Sequence, residues 1–427
     1  MSHPKYLIKD SNLIHSMPSV FILVMAILSL PFIPGVGVGF FYAKSLSLGL
    51  FSFCLIYSFY FVRFLPSLQF LPRSLCVSIL LLILYSVIQL VYFKEFAVKQ
   101  LVSMEFALKP LVSAPILFFI FITSCLSAVA FSKMNNDALY KAILAVFKIL
   151  ILVAIFNIIF QVNFLNYIHY PSLFPFTEPS QFAQFFGTIA TISFVLQKTL
   201  ALRILIGSLV FCVALAIPSV TLMVYAFLLF ILTIKARLAD IILSILLIAL
   251  TIYTVISIPY FTDRLIISQS SDNLSALVYL QGITDVIYSL KSTSYLGLGF
   301  QSLGTQPPSE ISAIIEEIAG AQLNREDGGF LAAKILSEFG VLGAIFIIYY
   351  MRIGFKAFLF LRKQNSVSNI RRDLKALVVA AIIFAFSVEI FVRGAGYFSP
   401  GVFLFLFSLF YFKKYMKSSF SSPSQSA

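Results

Sequence analysis

Over most of its length the chain is a succession of apolar stretches cut by charges, prolines and short polar clusters. Many of these stretches approach the roughly 20 residues that carry a helix across a bilayer core. A chain patterned this way cannot hide its apolar surface in a water-soluble core. Wherever lipid is the solvent, its backbone must close its own hydrogen bonds as helices. The composition agrees, with 60% of the 427 residues apolar and 11% charged, against about 25% charged in a soluble domain. A water-soluble globule, a disordered chain and a disulfide-stapled secreted domain are excluded. The expected fold class is an all-α polytopic membrane protein.

Cutting at the charges, prolines and polar clusters predicts twelve spans. They cover residues 17–35, 46–65, 74–93, 110–131, 138–160, 181–198, 202–217, 219–234, 238–258, 330–351, 376–393 and 397–413. With the N-terminus in the cytoplasm, the cytoplasmic side holds 21 of the 30 Lys and Arg residues and 4 acids, a net +17. The other side holds 9 basic residues and 13 acids, a net −4, which accounts for the overall +13. Basic residues concentrate in cytoplasmic loops, and one span more or fewer would reverse every later loop and scramble the split. Twelve spans with both termini cytoplasmic is therefore the expected topology. No A-x-A-like cleavage site follows the first apolar stretch, so it is read as a retained span.

Three regions result. Residues 1–258 carry nine spans and a loop at 161–180, residues 259–329 form one large outer loop, and residues 330–427 carry three spans and a tail. No basic patch interleaved with exposed aromatics stands apart from the spans, so nucleic acid is not an expected partner. Cys54, Cys76, Cys125 and Cys212 lie in apolar spans without metal or disulfide spacing and read as small buried hydrophobes. No His pair, D-x-D or Cys-His grouping suggests a metal site, and no cofactor is expected.

The loop at 259–329 is too long for a connector. Within it, Ser309 is placed to cap a helix with an Ile311, Ile314, Ile315 and Ile318 stripe, and Leu280, Ile283, Ile287 and Leu290 make a second stripe. Two amphipathic helices on the membrane surface, or capping a cavity, are expected. Between them Tyr295-Leu296-Gly297-Leu298-Gly299-Phe300 reads as a plain glycine turn or as a phosphate-cradling loop.

Polar residues gather on the outer side. Asp327, Leu331, Lys334 and Glu338 share one helical face as the tenth span begins. They are either a polar strip entering the membrane or a Lys334 to Glu338 pair that positions the helix. Glu178-Pro179-Ser180 opens the sixth span, where Glu178 is either a charge placed at a helix start or a functional acid. Glu389 and Arg393, four apart, allow an ion pair, and Asp263-Arg264 follows the ninth span. His169 reads as a loop histidine or as a general base near Glu178.

An enzyme working on that side cannot draw on cytoplasmic nucleotides, so its substrate must carry its own leaving group. A lipid-linked diphosphate does so. Arginine forks hold phosphate oxygens bidentately, and the transfer then needs a base for the attacking hydroxyl and cations for developing charge. Glu178, Arg264 and Arg393 supply those parts.

In topology and in the order of these motifs the chain resembles the Wzy-type O-antigen polymerases of Gram-negative bacteria. The local likeness rests on Glu178-Pro179-Ser180, Asp263-Arg264, Gly297-x-Gly299-Phe300, Asp327-Gly328-Gly329 with Glu338 and Gly340, and Phe391-Val392-Arg393-Gly394-x-Gly396-Tyr397. One family pattern, an Arg with Gly after ten intervening residues, is absent from the outer arginines. The resemblance implies a GT-C-like glycosyltransferase in the bacterial inner membrane that joins undecaprenyl-diphosphate-linked oligosaccharide units on the periplasmic face, without metal. Glu178 is then the base and Arg264 and Arg393 the diphosphate ligands, with inversion at the anomeric carbon. Arg325, Asp327, Lys334, Glu338, Tyr397 and His169 are further candidates for substrate binding. A chain-length regulator is an implied protein partner. An O-antigen ligase uses the same donor, and a flippase of similar span count is the reading from another class.

Overall fold

A computed structural model describes residues 20–40, 46–61, 77, 80, 81, 84, 85, 88, 104–160, 173, 175, 176, 178–233, 238–265, 273–366 and 373–413. His169 and most of the expected span at 74–93 lie outside the described residues. The described residues form α1 (Val20–Phe40), α2 (Leu46–Phe61), α3 (Met104–Lys133), α4 (Asn136–Phe160), α5 (Pro179–Leu196), α6 (Leu200–Ala216) and α7 (Val220–Thr233). They continue with α8 (Leu238–Ser257), α9 (Pro259–Leu265), α10 (Leu274–Ser292), α11 (Glu310–Ala319), α12 (Leu331–Ser366), α13 (Leu374–Phe391) and α14 (Pro400–Tyr411). Leu173 and Phe176 form an isolated bridge, and no named strand occurs among the described residues.

Among the described residues, four segments are long and apolar enough to cross a membrane: Lys109–Lys133, Asn136–Phe160, Leu331–Gln364 and Leu374–Phe391. Shorter apolar helices accompany them, among them Leu200–Ala216, Val220–Thr233 and Pro400–Tyr411. The outside of the bundle is apolar as well. Ile245, Leu246, Tyr253 and Ile256 of α8 and Val341, Leu342, Ile345 and Ile348 of α12 are exposed, apolar helix faces of the kind a bilayer covers.

At the centre α5 packs on α13, and both are buried along nearly their whole length. Small residues allow the close approach. Gly187 of α5 lies directly against the Tyr225 ring of α7, where any Cβ would overlap it. The α7 residue Tyr225 ties three helices together, with its hydroxyl 3.3 Å from both the Gln184 and Ala385 carbonyls. Around this pair α12 and α14 flank α13, α4 flanks α5, and α1 packs on α2 and α4.

The helix expected at 330–351 runs on to Ser366. Its charged residues Arg352, Lys356 and Arg362 face outward while Ile353, Ala357 and Leu361 are buried at i, i+4 and i+8, so charges that look like a terminus in sequence sit on the exposed side of a continuing helix. The same helix is broken at Gly340, whose φ of 53° and ψ of −126° are non-helical. A break frees backbone groups that an apolar setting cannot leave unpaired. The turn at 295–299 satisfies them. Leu298 N donates to Ser337 O and Gly299 N to Glu338 O, both at 2.8 Å, and Val341 N donates to Tyr295 O at 3.0 Å.

α11 forms where its pattern predicts, with Ser309 accepting from Ser312 N, Gly320 closing the helix in the left-handed conformation, and Ile311 and Ile315 buried. In α10 the outcome differs from the sequence reading. Its buried face is Val278, Gln281, Gly282, Asp285 and Ser289, while Ile283 and Ile287 are exposed. Packing against α12 selects the small and polar side, because Gly282 must admit the Gly328 carbonyl.

Candidate functional site

Two segments distant in sequence meet at the ends of α5 and α13. Glu178 stands at the N-cap of α5 in extended conformation, with Pro179 at the first helical position. Its carboxylate does not cap the helix. Oε2 instead accepts from Arg393 Nη2 at 3.2 Å and from Ser180 Oγ at 2.8 Å. Both members of the ion pair are partly open to the surroundings, Arg393 at 20% and Glu178 at 37%. Gln184, in the second turn of α5, donates its amide to the Arg393 carbonyl and holds the loop after α13 in place.

The i, i+4 ion pair between Glu389 and Arg393 does not form. α13 ends at Phe391, so Arg393 is carried off the helical face that Glu389 occupies. Glu389 is buried, and its Oε1 accepts from Ser399 Oγ, which also caps α14. Its other oxygen, Oε2, lies against Gly401, where a Cβ would collide with it.

Beside these groups is a crevice between α1, α5 and the α13–α14 junction, lined by Gln181, Gln184, Thr188 and Glu389 and by the apolar Pro31, Pro34, Phe176 and Leu404. The polar side of α5 has a sequence signature, since Gln181, Gln184 and Thr188 recur at i, i+3 and i+7. That pattern, rather than any single motif, is the signal from which these residues could have been found.

A second polar centre lies where α12 begins. The Gly394-Ala395-Gly396 loop runs along the Asp327-Gly328-Gly329 turn, with Gly394 N donating to Gly329 O at 3.1 Å. Gly396, at φ 72°, sits against the Asp327 carboxylate, where a side chain would overlap it. Lys334 is 2% exposed, and its Nζ is 2.5 Å from Glu326 O, 3.4 Å from Asp327 Oδ1 and Gln301 Oε1, and 3.7 Å from Glu338 Oε1. The ammonium also lies 5.2 Å from the centre of the Tyr397 ring, itself stacked on Phe300. The Lys334 to Glu338 pair thus forms, and Asp327 joins it.

The glycine turn serves this centre. Gln301 N and Leu303 N donate to the two Glu338 carboxylate oxygens at 2.9 and 3.2 Å. Its backbone amides hold the protein's own anion and the carbonyls of α12. They are not free to cradle a phosphate as the turn stands.

Arg264 and Arg325 lie elsewhere. Arg264 stacks 3.6 Å over the Tyr260 ring and donates to the Tyr260 carbonyl at 3.3 Å. Among the described residues neither contact reaches the Glu178–Arg393 pair. Arg325 donates to Gln306 O and to Gln322 Oε1. It faces Asp285 of α10, whose carboxyl is pushed up from its ordinary 3.8 to about 6 by burial, against smaller opposing pulls from Gln306 and Arg325. Asp285 Oδ2 has no hydrogen-bond partner among the described residues.

Chemically, the α5–α13 junction offers a guanidinium held by one displaceable carboxylate, with a buried carboxylate one helical turn deeper. That arrangement can exchange an internal anion for an external one. No known protein family matches the chain, and neither a curated protein nor a solved structure matches it.

Proposed function

We propose that the chain is a membrane glycosyltransferase that polymerises O-antigen, joining undecaprenyl-diphosphate-linked oligosaccharide units on the periplasmic face of a bacterial inner membrane. The reading includes twelve spans, a GT-C-like arrangement and cytoplasmic termini. The observation that carries it is the Glu178–Arg393 ion pair, which joins the two motif segments next to a crevice lined by Gln181, Gln184 and Ala395. The charge split of the sequence assigns both residues to the outer side.

In this reading the donor diphosphate takes Arg393, whose planar fork suits two phosphate oxygens. Glu178 is displaced and becomes free to accept the proton of the acceptor hydroxyl. The hydroxyl oxygen then bonds to the anomeric carbon as the bond to the diphosphate breaks on the opposite face. The configuration inverts, the diphosphate leaves with the electron pair, and the proton stays on Glu178. The Asp327, Lys334, Glu338 and Tyr397 centre fixes the floor that holds the Arg393 loop. Arg264 joins the diphosphate only by leaving the Tyr260 ring, and Arg325 only by releasing Gln306.

The test is the lipopolysaccharide of a deletion strain carrying variants on a plasmid. Glu178→Gln and Arg393→Ala should each lose the long ladder and leave a single repeat unit, consistent with a 10²- to 10³-fold loss for a charge-stabilising group. Long ladders from both variants at normal protein levels would refute the reading. Complete absence of O-antigen in the deletion strain would indicate a ligase.

A further inference from the structure

The crevice beside Glu178 and Arg393 carries a second statement about the ligand. We infer that it is a subsite for the hydroxyl-bearing edge of a neutral sugar, with Glu389 as the group that receives a sugar hydroxyl. This rests on the glycosyl-transfer reading, in which it is the acceptor's place.

Three observations lead here. First, Glu389 is 3% exposed, and Ser399 occupies only one of its two oxygens. Oε2 receives no hydrogen bond among the described residues, and it lies at the wall of the crevice beside Gly401. An accepting oxygen at the wall of the crevice suits a ligand that donates. Second, Gln184 lines the same space; it gives one amide hydrogen to the Arg393 carbonyl, and an amide carries a second hydrogen and an accepting oxygen, so it both donates and accepts as hydroxyl groups do. Third, the remaining wall is apolar, made of the Pro31 and Pro34 rings with Phe176 and Leu404.

Hydroxyls on one side and C–H groups on the other are the double character of a pyranose ring. A phosphate does not fit, because the crevice wall carries no Lys or Arg, and Arg393 beside it is the better partner. Size supports an edge rather than a whole ring. The free interior is about 30 Å³, room for about two water-sized groups. Two adjacent hydroxyls can replace two waters while reproducing their hydrogen bonds, which is the favourable kind of water displacement. The ring itself would sit at the mouth, one helical turn nearer Glu178.

The full-length protein in phospholipid nanodiscs is mixed with methyl α- and β-pyranosides of glucose, galactose, mannose, fucose and rhamnose. Saturation-transfer NMR then reads which glycoside binds. At least one should receive saturation from the wild type. Glu389→Gln should weaken that glycoside about tenfold or more, the loss expected for one charge-assisted hydrogen bond. Ala395→Leu, which fills the crevice from the loop and leaves Glu389 and Ser399 unsubstituted, should abolish the signal and serves where the Glu389 variant fails to fold. The inference is overturned if no glycoside binds the wild type, or if either correctly folded variant binds as the wild type does. Failure is separable from that of the polymerase reading. Glycoside binding with intact ladders in both Glu178→Gln and Arg393→Ala leaves the subsite and removes the polymerase. Lost ladders with no glycoside binding do the reverse.

Discussion

Asp285 allows the most quantitative test of the region outside the membrane-crossing helices. It is 3% exposed on the face of α10 that packs against α12, and burial raises its carboxyl from 3.8 to about 6. The difference of roughly two pKa values corresponds to about 3 kcal/mol. Because the folded value is the higher one, the folded state holds a proton that the unfolded state has released between about pH 4 and 6. Stability therefore falls as pH rises through that window and stays low above it. Below about pH 4 the acid is neutral in both states and the penalty vanishes. The Arg325 attraction is already contained in the net value. Asp285→Asn keeps the shape, removes the charge and adds a donor facing Gln306. At pH 7.5 it should stabilise the docking of α10 by up to about 3 kcal/mol, on the order of 100-fold in amide protection. At pH 4 it should match the wild type. Hydrogen exchange of peptides spanning 274–303, corrected for intrinsic rates, is the assay. Equal or weaker protection of the Asn variant at pH 7.5, or the same decline with pH in both proteins, would refute the reasoning.

Other tests follow from the two polar centres. Gly340→Ala forces a side chain into a mirror-image backbone conformation and onto the Tyr295 carbonyl, and should cost about 1–3 kcal/mol or more, read as a lower thermal midpoint. Lys334→Met strands Glu338 and should destabilise by about 3–5 kcal/mol, whereas the Lys334→Met, Glu338→Gln double variant should recover part of it in a thermal double-mutant cycle. Arg264→Ala should shorten O-antigen ladders far less than Arg393→Ala, since its guanidinium rests on Tyr260. Equal loss from the two would place Arg264 at the diphosphate after all.

Features set by neighbouring residues are legible in the sequence. Ser309 with its isoleucine stripe predicts α11, and Pro179 after Glu178 predicts the start of α5, because caps and first-turn prolines act within one helical turn. The Lys334 to Glu338 pair follows from i, i+4 spacing in the same way. Features set by a distant partner are not legible. The apolar stripe of α10 reads as its buried side, yet docking on α12 buries Gln281, Gly282 and Asp285 instead. The Glu178–Arg393 pair spans 215 positions and becomes visible only when α5 and α13 are brought together. Glu389 is visible beside Arg393, but its escape from that pairing depends on α13 ending two residues earlier.

The break at Gly340 bears on how the chain is made. The turn that fills it, residues 295–299, precedes α12 in the sequence. It leaves the ribosome first and is waiting when the second half of α12 emerges. The carbonyls of Ser337 and Glu338 therefore find their donors, Leu298 N and Gly299 N, as soon as the first half of α12 docks, and only the Val341 N to Tyr295 O bond awaits the second half. A truncation that stops before residue 341 removes that last bond and leaves the other two. A deletion of the turn removes all three, and the nascent helix would then meet the bilayer with its gap open.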